Sequence, residues 1–223
     1  MTPSGQDPPL VLYFSKGSSA VAAHILLEEV GARYQTLEIS IPKDAHRSDS
    51  FLALNPKGRI PVLQTPHGVL TENAAILEYI AQTHPNAGMH PKTDFAQAQA
   101  RSLAAYLSST VHVAFAHHKR GARWASTPLA LQDLKAQARH NLEACADYLE
   151  KELTLSPWCL GPHYSFCDPY LLLLEKWRTA VGAPLENTPN LQAHTARMRA
   201  RPAVQRVLAL HDLKASCVKL ESK

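Results

Sequence analysis

Apolar and polar positions change their spacing partway along the chain, from short strand-like runs to long helical repeats. Leu10 to Phe14 is a brief apolar run of the buried-strand type. Gly17-Ser18-Ser19 interrupts it, and a helical segment follows, with Ala22, Ile25, Leu26 and Val30 on one face and Glu28-Glu29 on another. Gly31 is placed to end that helix as a left-handed C′ residue. A second strand reads from Tyr34 to Ile41, followed by a polar stretch from Lys43 to Ser50 and a helical turn at Phe51 to Leu54. A hairpin comes next. Its first arm starts at Pro61-Val62-Leu63, it turns through Pro66-His67-Gly68, and Val69-Leu70 returns toward Thr71-Glu72-Asn73. A helix from about Glu72 to Thr83 completes a βαβ-ββα order, which predicts a small mixed sheet with helices on its faces.

His84-Pro85-Asn86 stops that helix, and residues 87–93 read as a linker. From Asp94 the spacing is helical, in segments Phe95 to Ala116, Leu129 to Leu153, Asp168 to Val181 and Leu191 to Leu210. The expected division is therefore an α/β domain over residues 9–86, a linker, and an all-helical domain over residues 94–215. Ser165 and Asp168 read as a capping box with Asp in place of Glu: Ser165 accepts from the Asp168 N–H, and the carboxylate reaches back. That pair is expected to fix a buried helix and to do no chemistry.

Composition narrows the function classes. With 223 residues, 45% hydrophobic and 19% charged, the chain is an ordinary globular one with enough length to bury a core. A net charge of +4 is modest, and only His117-His118-Lys119-Arg120 with Arg123 approaches a basic patch, so no nucleic-acid partner is expected. Cys145, Cys159, Cys167 and Cys217 show no CxxC spacing, which argues against a zinc site or a redox pair. They are expected to stay reduced and pack as small apolar residues, as in a cytoplasmic protein. His112, His117 and His118 do not share a helical face and no carboxylate joins them, so no metal is expected. MTPSGQDPP has neither the basic start nor the apolar run of a signal peptide, and no stretch is long enough to span a bilayer.

Residues 55–73 carry the candidate binding chemistry. Pro61 stands where a strand begins, and proline cannot donate to a ladder. A cis Ile60-Pro61 bond would turn the backbone and leave the Ile60 N–H and C=O free; a trans proline opening an edge strand is the alternative. Free groups on Ile60, beside the Glu72 carboxylate and the Asn73 amide, would receive a peptide-like ligand.

NPKGRIPVL, LTENAAILEYIA, GPHYSFCDPYLLLLEKW and ARMRARPAVQRVLA, in this order, resemble segments of the cytosolic glutathione S-transferases. In that family these carry the cis-proline, the glutamyl-binding helix start, the capping-box helix and the last helix. The resemblance covers roughly Leu10 to Leu210 and implies a thioredoxin-like domain joined to a helical bundle. YFSKGSSAVAAHI and STVHVAF resemble most closely the beta class of bacteria, but Ser19 stands where that class has a catalytic cysteine, and Val113 where a lysine often follows the histidine. What the resemblance implies is glutathione as co-substrate without a metal, a hydrophobic electrophile between the domains near Tyr106, His112 and Phe115, and a homodimer. A glutathione-fold binding protein without catalysis, or a glutathione-dependent lyase or isomerase, would keep the same site.

Such a site must hold glutathione as thiolate. A free thiol with pKa near ~8.5 is only a few per cent ionised at pH 7, and lowering it two units requires about 2.7 kcal/mol. A hydroxyl donating to charged sulfur contributes ~1.5–3 kcal/mol. A helix N-terminus adds ~0.3–1 kcal/mol. Ser19, Ser18 and, third, Tyr13 are the candidate donors, with His112 brought to the same site; either serine would also serve as a plain N-cap. Glu72 and Asn73 are expected to take the γ-glutamyl group, Ile60 and Pro61 the cysteinyl amide, and Arg59 or Lys43 the glycyl carboxylate. Lys57 reads as a solvated turn residue. Serine cannot form a mixed disulfide, so addition to an electrophile is expected rather than disulfide exchange.

Overall fold

The computed structural model describes residues 10–213; Cys217 and the last two residues of the expected helical domain lie outside them. Strands β1 (Leu10–Phe14), β2 (Tyr34–Glu38), β3 (Val62–Thr65) and β4 (Gly68–Thr71) form one sheet in the order β2-β1-β3-β4. β1 runs parallel to β2, as a crossover through helix α1 (Ala20–Glu29) requires. β3 is antiparallel to both β1 and β4. The second strand is shorter than its pattern predicts. Ile39 N–H still donates to the Phe14 carbonyl at 2.6 Å, but the chain then enters a 3₁₀ turn at Ile41–Lys43 with Pro42 inside it. Ser48 caps the short α2 (Asp49–Leu54) through the Phe51 N–H, and α3 (Asn73–Thr83) follows β4.

The helical part begins with α4 (Asp94–Tyr106), whose N-cap Thr93 accepts from the Ala96 N–H at 3.2 Å. A π-helical turn at Leu107–Val111 continues it into α5 (His112–Arg120). Helices α6 (Pro128–Glu152), α7 (Asp168–Leu171), α8 (Leu173–Val181), α9 (Pro189–Arg199) and α10 (Pro202–Leu210) complete the bundle. The pattern predicts one segment from Leu191 to Leu210, and the structure breaks it. Pro202 lacks an N–H and disfavours helical geometry before it, so Arg201 is extended (φ −75°, ψ 132°) and Pro202 opens a new helix.

Helix α1 departs most from its amphipathic reading. Every residue from Ala20 to Leu27 is buried, because α1 packs on β1 and α3 on one side and on α7 and α10 on the other. It is the shared core element of the two halves. The Ser165–Asp168 box forms in altered form. Asp168 Oδ2 accepts from Ser165 N at 2.7 Å, but Ser165 Oγ donates to that same oxygen and accepts from the Cys167 N–H instead. Asp168 Oδ1 takes Cys159 N–H at 2.9 Å and His194 Nε2 at 2.8 Å. Cys145, Cys159 and Cys167 are buried free thiols. Among the described residues, no helix is long and apolar enough to cross a membrane.

Candidate active site at the starts of three helices

The β1–α1 loop turns at Gly17, where φ is +65° and an added Cβ would lie 3.1 Å from Lys176 Nζ. Ser18 N–H donates to the Ser15 carbonyl at 3.0 Å, and Ser18 Oγ accepts from the Ala20 N–H at 3.3 Å. Ser19 sits in helical geometry (φ −65°, ψ −10°) and its hydroxyl caps nothing. The two serines thus divide the roles: Ser18 caps, and the Ser19 hydroxyl is unspent, half-buried at a helix start.

The turn before β3 and the β3–β4 hairpin lead to a second helix start, that of α3, beside it. Buried Asn55 folds the turn, donating from Nδ2 to the Arg59 carbonyl at 2.7 Å and accepting the Lys57 N–H at 3.2 Å. The Ile60-Pro61 bond is cis, and Ile60 lies just outside the ladder that begins at Val62. At the far end of the hairpin Glu72 has φ +71° and ψ 120°, in a region that bulky residues rarely adopt. Lys57 Nζ lies 2.5 Å from Glu72 Oε1 and 2.6 Å from Thr71 Oγ1, so the residue that the pattern leaves to solvent is the partner of the candidate ammonium receptor. Asn73 Nδ2 donates to the Ser19 carbonyl at 2.7 Å, locking the start of α3 to the start of α1. Its Oδ1 is buried with no hydrogen-bond partner among the described residues, and unpaired buried acceptors are uncommon.

The third start belongs to α5. Tyr170 on α7 lies beside Asn73, and its hydroxyl oxygen is 3.4 Å from His112 Nδ1. An Arg120 guanidinium nitrogen is 3.1 Å from His112 Nε2. A guanidinium only donates, so Nε2 accepts and the proton of a neutral ring sits on Nδ1, facing Tyr170. Burial, reinforced by the charges of Arg120, Arg123 and Arg59, pushes the His112 pKa down to about 3. The ring stacks on Trp177 with centroids 4.7 Å apart, and Phe115 stacks on the same indole at 5.7 Å. Burial, first of all, raises the Tyr170 pKa. His112, Tyr170, Asn73 and Ser19 therefore form one connected set across four elements.

Other candidates are placed elsewhere. Tyr13 alternates with Leu12 and Phe14, which face α1, so it points to the opposite face; it packs on Phe51 at 6.4 Å and donates to Gln64 Oε1 at 3.1 Å. Tyr106 packs on Tyr148 of α6 at 5.1 Å, while His112 and Phe115 face Trp177 of α8. Six positions apart with a π turn between them, Tyr106 and His112 leave different faces of the helix. Lys43 is exposed in its 3₁₀ turn, whereas the charge of Arg59 reaches His112. Trp124 is half-exposed against His117 and not part of the core. Sequence reasoning gave Tyr170 and Trp177 no role; a tyrosine and a tryptophan flanking the Leu171–Leu174 run were the available signal.

Residues 9–82 match the family described as "Glutathione S-transferase, N-terminal domain". A glutathione transferase homologue from Sulfitobacter with bound glutathione superimposes with a TM-score of 0.87 at 37% identity, covering 91% of this chain and 98% of that one. The beta-class glutathione S-transferase of Sphingomonas chungbukensis gives 0.80 at 31% identity over 92% of this chain and 100% of the other. Glutathione S-transferase GstA of Escherichia coli O157:H7 is 29% identical over 206 residues, 91% of this chain and 99% of the relative. Near-complete coverage at these identities, on the same sheet and bundle, means that this chain belongs to the glutathione S-transferase family.

Proposed function

We propose that this protein is a glutathione transferase: it binds glutathione across the starts of α1 and α3 and adds its thiolate to a hydrophobic electrophile. The observation that carries this reading is the 2.7 Å bond from Asn73 to the Ser19 carbonyl, which fixes the start of α3, with its unpaired buried amide oxygen, against the start of α1, where the Ser19 hydroxyl is unspent. Glu72 and Asn73 take the γ-glutamyl group, with the ammonium replacing Lys57 on Glu72. Ile60, ahead of Pro61, pairs its backbone with the cysteinyl amide, and Arg59 takes the glycyl carboxylate in preference to Lys43. Residues 9–86 would then form the glutathione-binding domain and residues 94–215 the wall of the electrophile site. The family's homodimeric, cytoplasmic habit is part of the same proposal.

Ser19 donates to the sulfur, and Ser18, whose oxygen accepts from Ala20, keeps its own proton to donate beside it. One such bond, ~1.5–3 kcal/mol, with ~0.3–1 kcal/mol from the helix start, meets the roughly 2.7 kcal/mol needed for a two-unit shift. The thiol proton passes to water. The sulfur lone pair forms the S–C bond, and an aryl halide loses its halide with the bonding pair, so atoms and charge balance. His112 is a positioning residue here: neutral, with both ring nitrogens engaged, it orients Tyr170 and Arg120.

Conjugation of glutathione to chlorodinitrobenzene by Ser19→Ala, Ser18→Ala and Tyr13→Phe tests the assignment. Ser19→Ala is expected to lower kcat/KM by at least about tenfold, Ser18→Ala by less and Tyr13→Phe least. Wild-type kcat/KM in all three would remove serine and tyrosine from the thiolate site. Tight glutathione binding by the wild type with no turnover would make the protein a non-catalytic glutathione binder.

A further inference from the structure

Five arginines outside the site each meet a carboxylate: Arg101 with Glu78, Arg139 with Glu143, Arg199 with Glu175, Arg201 with Glu29 and Arg206 with Glu28. Arg47, Arg59, Arg120 and Arg123 have no such partner among the described residues. They nevertheless converge from both halves of the molecule. Arg120 ends α5 against His112, and its Nε is buried without a partner. Arg123 follows in a 3₁₀ turn. From the sheet side, the Arg47 guanidinium lies against Gly58, with Nη1 3.2 Å from where a Cβ would stand, and Arg59 is the next residue. The charges of Arg47 and Arg59 reach Arg123, and those of Arg59 and Arg123 reach Arg120.

We propose that Arg120 and Arg123, the two of these guanidinium groups that face His112 and are left over once Arg59 holds glutathione, form an anion subsite beside His112, and that the electrophile taken there carries a carboxylate or sulfonate on a flat, conjugated body. The inference rests on the transferase reading of the site and specifies its substrate class. Like charges converge without a counterion at an energetic cost; burial first, and then the neighbouring guanidinium charges, lower the pKa of both Arg120 and Arg123. Glutathione offers one glycyl carboxylate, which Arg59 takes; Arg120 and Arg123 remain uncompensated. Arg120 stands against His112 and the charge of Arg123 reaches the same ring; His112 and Phe115 stack on the buried Trp177, so the accessible part of that face is the half-buried His112 and Phe115. A flat acceptor lying on that face would present a terminal anion to two planar forks, the geometry guanidinium groups recognise best.

Ethacrynic acid and its methyl ester share one reactive enone and differ only in a remote carboxylate. The acid is expected to exceed the ester in kcat/KM by about tenfold or more in the wild type, and the ratio to fall toward one in Arg123→Gln. Calorimetry with S-(4-carboxybenzyl)glutathione and S-benzylglutathione reads the same preference without turnover, and a thermal melt confirms that Arg123→Gln is folded. No acid preference in the wild type, or one that persists in Arg123→Gln, overturns the subsite while turnover of the ester leaves the transferase reading intact. If neither conjugate binds and neither electrophile reacts, the transferase reading fails and the subsite falls with it.

Discussion

Glu72 combines a strained backbone with an exposed ion pair, φ +71° against Lys57 at 2.5 Å. A non-glycine residue in such a conformation costs ~1–3 kcal/mol and persists where surroundings over-determine it, as at ligand sites. Glycine should relieve that cost, so Glu72→Gly is expected to be more stable than Glu72→Ala by about 1 kcal/mol, or roughly 2–4 °C in Tm. Both variants should lose glutathione affinity by at least about tenfold by calorimetry, since each removes the charge proposed to face the ammonium. Equal Tm values would dismiss the strain, and unchanged affinity would remove Glu72 from the site. Ile60, Pro61, Glu72 and Asn73 could be proposed from the sequence because they sit in one contiguous stretch whose proline and polar helix start are themselves the signal. Tyr170 was not: its meaning comes from Asn73 and His112, residues far along the chain that only the fold brings to it.

Helix starts and stops follow the same division. Proline at the first turn of α6, α9 and α10 and threonine at the caps of α4 and α6 are local rules; the sequence pattern placed α6 and the starts of α4 and α9 within a few residues, but ran α9 and α10 together across Pro202. Burial of α1 on both sides is not local, since it depends on α10 arriving from the end of the chain. Nor was the π turn before His112, whose Ser108 and Ser109 hydroxyls both donate to the Ala105 carbonyl, at 3.0 and 2.8 Å. The capping pair of α7 was legible as a motif but not as a junction. Asp168 is fully buried and receives Ser165 N–H and O–H, Cys159 N–H and His194, tying the loop, α7 and α9 together. Asp168→Ala strands all four donors in the core, so a loss of about 3–5 kcal/mol, some 10 °C or more in Tm, is expected by thermal denaturation. A melt within a degree or two of wild type would mean that water replaces the carboxylate.

The two halves of the molecule meet through histidines held neutral. Gly17 N–H donates to His211 Nδ1 at 3.2 Å, so His211 Nε2 carries the proton and donates to His24 Nδ1 at 3.0 Å. His24 Nε2 then donates to the Tyr34 hydroxyl at 3.0 Å, which donates to the Glu28 carboxylate. Every role in this chain is assigned by the amide at one end, and it fixes the loop that leads to Ser18 and Ser19. Burial, then His24, Lys176 and Lys16, hold the His211 pKa down to about 3, with Asp212 opposing; burial likewise lowers His24 against the pull of Glu28. His112, at about 3, sits in the other junction. In the unfolded chain each titrates near ~6.5, so between that pH and about 3 the unfolded state binds protons at His211 and His112 that the folded state does not, and His24 acts in the same direction. Stability is therefore full well above pH 6.5 and falls as the solution is acidified, before most carboxylates titrate at ~4. From pH 6.5 to 5.5 the expected loss is about 1 kcal/mol for each of His211 and His112, or several degrees of Tm together. His211→Gln keeps an acceptor for Gly17 and a donor for His24 without a titrating group. Its Tm should fall less than that of the wild type over this interval, while the two proteins stay close at pH 7.5. Parallel Tm profiles from pH 7.5 to 5 would mean that the histidine chain does not govern the acid response and that another group does.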